Sequence, residues 1–130
     1  MISPNRPEPS PKPGQIDVWP AVIDFMQKAT ADGAHDQLLV MFGTDALQAF
    51  VNDCAERNQI GIAKYGTPLQ TGNGRDCDRD LYQELLDGIA YAYQGILESL
   101  AARDYDRMCR RTDIFRNLVA SAVGLRAELK

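Results

Sequence analysis

Between Leu81 and Leu100 apolar residues return every three or four positions, at Leu81, Leu85, Ile89, Tyr93, Ile96 and Leu100, and no proline interrupts them. That period belongs to an α-helix with one apolar stripe, which must bury the stripe against a neighbouring element. Asp76 stands where it can cap the start of this helix. Upstream, Leu47, Phe50, Val51, Cys54 and Ile62 fall on one broad arc of a helix expected from Thr44, as N-cap, to about Lys64. Tyr65-Gly66-Thr67-Pro68 then stops it, and Gly66, Pro68, Gly72 and Gly74 mark a loop running to Arg75. A first helix is expected from about Pro20 to Ala31, with Ala21, Val22, Phe25 and Met26 at helical spacing, followed by a short helical piece over Gln37 to Phe42. Residues 103 to 111 read as a charged linker, after which Thr112 caps a final helix bearing Ile114, Phe115, Leu118, Val119, Ala122 and Leu125. No strand pair, internal repeat or Rossmann-type glycine pattern is present, so the expected fold class is all-α, a helical bundle of about four main helices.

Five of the first 14 residues are proline, and a segment so lacking in donors forms neither helix nor central strand. Residues 1–14 are therefore expected as a flexible proline-rich tail, and residues 15–130 as a single all-α domain, since a chain of 130 residues suits one core. No apolar run reaches the roughly 20 residues of a membrane-spanning helix, so no membrane partner is expected. The start of the chain lacks the basic and apolar blocks of a secretory signal, which points to the cytoplasm. A net charge of −4 argues against a nucleic acid polymer as partner, although bound cations can still bring free nucleotides to an acidic surface. Cys54, Cys77 and Cys109 have neither zinc-site spacing nor disulfide density and are read as reduced thiols; the lone histidine, His35, reads as a surface residue.

The chemistry-bearing pattern is acidic. Asp53 and Glu56 stand three residues apart on one expected helix, Glu84 and Asp87 on another, with Asp80 one turn before Glu84. Residues at that spacing share a helix face, and carboxylates gathered from two helices suit hard, oxygen-seeking ions such as Mg²⁺ or Mn²⁺. The bland alternative is a solvated face, with Arg57 pairing with Asp53 in a simple i,i+4 salt bridge. Against it, Gly88 and Gly95 flank the acidic arc of the later helix, where glycine is costly unless another backbone approaches. Acids from Asp76 to Asp87 also imitate a calcium loop, but Leu81 stands where an EF-hand needs glycine.

The run Lys64-Tyr65-Gly66-Thr67-Pro68-Leu69-Gln70, then Asn73-Gly74-Arg75-Asp76, then Asp80-Leu81-Tyr82-Gln83-Glu84-Leu85-Leu86-Asp87, resembles small phage-type proteins of the MazG-like all-α nucleoside triphosphate pyrophosphohydrolases, the dATP/dGTP diphosphohydrolase-like members in particular. Val18-Trp19-Pro20 with Val22-Ile23 resembles the start of the same proteins. In that superfamily an E-E-x-x-E motif and a later E-x-x-D motif hold the metal. Glu84-Leu85-Leu86-Asp87 matches the second, while Asp53-Cys54-Ala55-Glu56 corresponds to the first with aspartate replacing a glutamate and Asn52 where the doubled acid would stand. The resemblance implies Mg²⁺, with Mn²⁺ as substitute, on Asp53, Glu56, Glu84, Asp87 and Asp80, and release of pyrophosphate from a nucleoside triphosphate, purine deoxynucleotides favoured. It also implies a homodimer or homotetramer. Lys64 and Arg75 are then candidates for phosphate charge, Gln70 and Asn73 for a base edge, and Trp19 or Tyr65 for stacking; ordinary packing, loop capping and helix-end charge are the alternatives. The departure in the first motif leaves a second expectation open, a catalytically weak nucleotide- or metal-binding regulator of the same fold.

Overall fold

A computed structural model describes residues 7–33 and 36–129. Among them the chain is all-helical: α1 (Val18–Thr30), α2 (Gln37–Val40), α3 (Thr44–Tyr65), α4 (Cys77–Ala101) and α5 (Tyr105–Glu128). No strand occurs among the described residues, and β pairing is confined to an isolated antiparallel bridge between Asp17 and Gln70. Among the described residues no helix is long and apolar enough to cross a membrane. His35 and the first six residues of the expected tail lie outside the described residues. The chain divides into two compact units, one comprising Pro9–Arg75, the other running from Asp76 onward and including Glu8.

In the first unit α1 packs on α3, with α2 joining them. Met26 and Cys54 are its buried apolar residues, while Leu47, Val51 and Ile62 are half-buried on the arc that the period marked out. Phe25, expected on the inner face of α1, and Phe50 are instead exposed, because a pair of helices covers a narrower stripe than their apolar residues span. α1 starts two residues before the expected Pro20, with Asp17 in the N-cap position. Asp17 makes no cap bond because its carboxylate is engaged by Gln70. The N-cap of α3 is Gly43, at φ 90°, so Thr44 is the first helical residue rather than the expected cap. At the other end Gly66 takes the left-handed conformation, φ 75°, and its N–H closes onto Ile62 O, as the glycine in Tyr65-Gly66-Thr67-Pro68 foretold.

The second unit is a hairpin of α4 and α5. Asp76 caps α4 through its carboxylate, which accepts from the N–H groups of Asp78 and Arg79. Helix runs unbroken through Leu81, so the calcium-loop pattern has no structural counterpart. Small residues make the seam: Ala92, Gly95 and Ser99 are buried on α4, and Ala122 on α5. A Cβ on Gly95 would lie 3.4 Å from the Arg111 side chain, and one on Gly88 3.5 Å from that of Leu118. The neighbour for which these glycines make room is therefore α5 of the same chain. Tyr93 and Phe115 add a tilted ring pair, centroids 5.3 Å apart.

The expected linker of residues 103–111 is mostly helix. α5 begins at Tyr105, capped by Asp104 through the Arg107 N–H, and Thr112 sits mid-helix with its hydroxyl donating to Met108 O. Charge does not break a helix: arginine is a good helix former, and Asp106 in the first turn suits the dipole. The true break is shorter. Arg103 N donates to Leu100 O and Asp104 N to Ser99 O, the paired bonds of a Schellman motif, with Arg103 at φ 56° where glycine is usual.

Candidate functional site

Asp53 and Glu56 project from α3, and Glu84 and Asp87 from α4, each pair three residues apart and therefore on one face of its helix. All four are exposed, and none makes a hydrogen bond or ion pair among the described residues. The alternative pairing of Arg57 with Asp53 is accordingly absent there. Asp80 differs, being half-buried and engaged. Among the described residues no three His, Cys, Asp or Glu side chains converge as a ready-made cage. Carboxylates are the donor type that Mg²⁺ takes, commonly one or two together with water and substrate phosphate.

The residues singled out for substrate, Trp19, Lys64, Tyr65, Gln70, Asn73 and Arg75, all belong to the first unit. Lys64, in the last turn of α3, holds its ammonium 5.1 Å from the Tyr65 ring centroid, a cation–π contact on an exposed tyrosine. Trp19 is half-buried in the first turn of α1. The loop residues are more deeply committed. Gln70 uses both ends of its amide: Oε1 accepts from Gly14 N at 2.7 Å, and Nε2 donates to Asp17 Oδ1 at 2.6 Å. Asn73 is buried, its Oδ1 accepting from Arg75 N at 3.1 Å in an Asx-type turn. Arg75 donates from Nη1 to the Pro9 carbonyl at 2.8 Å.

Those bonds belong to a continuous seam that the sequence did not announce. Lys12 N donates to Asn73 O, Gln15 N to Thr71 O, Thr71 N to Ile16 O and Val18 N to Leu69 O, each at 2.9 to 3.0 Å. Residues 12–18 thus run along 69–73. The prolines marked the segment as extended; they carried no sign of its partner more than fifty residues away. Just before it, Glu8 and Arg79 form an ion pair at 3.4 Å with side chains only 7% and 14% exposed, and the Arg79 Nε is buried without a hydrogen-bond partner among the described residues. Glu8 offsets the placing of a cation in the first turn of α4, where the helix dipole favours acids.

A cavity of about 200 Å³ lies elsewhere in the first unit, between Met26, Thr30, Val40, Leu47, Gln48 and Val51. Among the described residues it is lined by no charged side chain and by none of the site candidates, and it is small beside the roughly 300–1,000 Å³ of ordinary ligand pockets. Lys28, exposed on α1, has its pKa raised by a hydrogen bond from its ammonium to Asp24 and by that carboxylate's charge; it belongs to a solvated helix face. The three cysteines are free thiols, Cys54 buried and the other two exposed. No family model, curated protein or solved structure matches the chain.

Proposed function

We propose that the chain is a metal-dependent hydrolase of nucleoside triphosphates, purine deoxynucleotides favoured, that releases the monophosphate and pyrophosphate. The observation that carries this reading is the pair of acidic steps, Asp53 with Glu56 and Glu84 with Asp87, four exposed carboxylates uncommitted to any partner among the described residues. In sequence they bracket a glycine-rich loop bearing Lys64, Gln70, Asn73 and Arg75. The MazG-like pattern of that stretch adds the reaction class.

In this reading Glu84, Asp87 and Asp80, with Asp53 and Glu56, would hold Mg²⁺ or Mn²⁺. Bound there, the metal would lower the pKa of a water and offset charge on the phosphate oxygens. Lys64 and Arg75 bring positive charge to the polyphosphate, and Tyr65 or Trp19 offers a ring for the base. No side chain need act as nucleophile, and the chain has no P-loop motif to present a γ-phosphate. The working form is a homodimer or homotetramer in the cytoplasm. Tyr93, Leu97 and Leu100 support a further neighbour, since about half of each remains exposed on an apolar arc of α4 wider than α5 covers. A second reading, a nucleotide- or metal-binding regulator with little turnover, is favoured by Asn52 and Asp53 in the first motif and by the internal engagement of Gln70.

The deciding experiment supplies each common NTP and dNTP with Mg²⁺ or Mn²⁺ in ¹⁸O-labelled water. Pyrophosphate should appear, with the label in the monophosphate, and Glu84→Gln or Asp87→Asn should abolish both turnover and calorimetric metal binding while keeping the helical fold. Nucleoside diphosphate with inorganic phosphate would refute the reaction, and metal affinity unchanged in both variants would remove these acids from it.

A further inference from the structure

Two side-chain donors of the loop, Gln70 Nε2 and Arg75 Nη1, each already hold an oxygen, and both oxygens come from the stretch before α1: Asp17 Oδ1 at 2.6 Å and Pro9 O at 2.8 Å. A polyphosphate or a base edge seeking those donors meets them occupied by acceptors of the same kind. We propose that residues 9–17 form a releasable strap that closes this loop in the resting chain, and that a nucleoside triphosphate binds by displacing it. The inference rests on the loop being the nucleotide-contacting segment.

The strap is built to leave. Pro9, Pro11 and Pro13 remove every second donor over its first half and hold it extended, so little conformational freedom is lost each time it docks. It buries no large apolar side chain: Ile16 is 59% exposed, and Pro9, Lys12, Pro13 and Gln15 are exposed as well. Its attachment is polar, made by the N–H groups of Lys12, Gly14, Gln15, Ile16 and Val18, bonds for which water readily substitutes. Docking depends on one close approach, since a Cβ at Gly14 would fall 1.9 Å from Thr71 O. On the loop side Gly72 and Gly74 carry no Cβ to restrict their backbone.

Two full-length variants open the strap by different means. Gly14→Ala forces it off sterically, and Asp17→Ala removes the acceptor held by Gln70 without adding bulk. The probes are Mg²⁺ with dATP and Mg²⁺ with inorganic tripolyphosphate, which separate base from phosphate contacts. Binding is read by calorimetry, and amide exchange at Gln15, Val18 and Thr71 by mass spectrometry. If the closed state outweighs the open one about tenfold, both variants bind a probe up to about tenfold tighter than wild type, and adding that probe to wild type speeds exchange at those amides. Equal affinity in all three proteins, with the amides as protected or better protected when bound, overturns the strap and leaves the nucleotide reading standing. Absence of binding of either probe to wild type and both variants overturns that reading and the strap together.

Discussion

The α4–α5 hairpin and the seam between residues 12–18 and 69–73 are held by different forces. In the hairpin small side chains let two helices approach, and a buried serine, Ser99, sits at the contact with its hydroxyl donating to Gly95 O and accepting from Arg107 Nη1. Shape does the holding there, and one oversized side chain disturbs many atoms at once. The seam has almost no buried apolar surface and consists of separate hydrogen bonds, each contributing about 1 kcal/mol net. Close packing makes a region all-or-none, whereas a ladder of polar bonds can open piecemeal, which suits the seam to movement and the hairpin to support.

Three substitutions would break or sharpen this contrast. Ser99→Leu should have the largest effect: overpacking and the lost bond from Arg107 together cost roughly 3 kcal/mol or more, read as a fall in the urea midpoint. If it were tolerated as well as Ser99→Ala, the hairpin would not be close-packed. Gln70→Ala removes both amide bonds to the seam and should cost about 1–2 kcal/mol. Its sharper signature is local, with faster exchange at Gly14 to Val18 and none of that change in α4 or α5. Loosening that spread into the hairpin would mean the two regions open as one. Arg103→Gly should have the smallest effect and the opposite sign, stabilising by about 1 kcal/mol at most, because relief of a left-handed non-glycine residue is partly offset by the greater freedom of glycine in the unfolded chain. A destabilised Arg103→Gly protein would show that the Arg103 side chain is needed for the turn.

The helices were legible where one physical rule dominated. The apolar period of residues 81–100, Asp76 as cap and Gly66 as stop all act within a turn or two of chain, and α4 and the end of α3 follow them. The first turns of α5 were missed because a charged run without apolar period resembles a linker, although arginine-rich segments are good helix formers once Asp104 caps them. Thr44 suits an N-cap by residue type, but Gly43 occupies the place, at a φ that threonine resists. Asp53, Glu56, Glu84 and Asp87 could be paired on helix faces from spacing alone, since three residues is a fixed angular step.

By itself, then, the sequence determined what depends on near neighbours along the chain: an all-helical fold, most helix ends, and which acids share a face. Tertiary structure alone decided who meets whom across long separations. It showed that Gly88 and Gly95 make room for α5, that Glu8 answers Arg79, and that residues 12–18 claim Gln70 and the backbone of Thr71. Helical period and capping are set by local geometry, whereas a hydrogen bond between residues some 55 apart depends on how every intervening turn is resolved, and no pattern at either end records it.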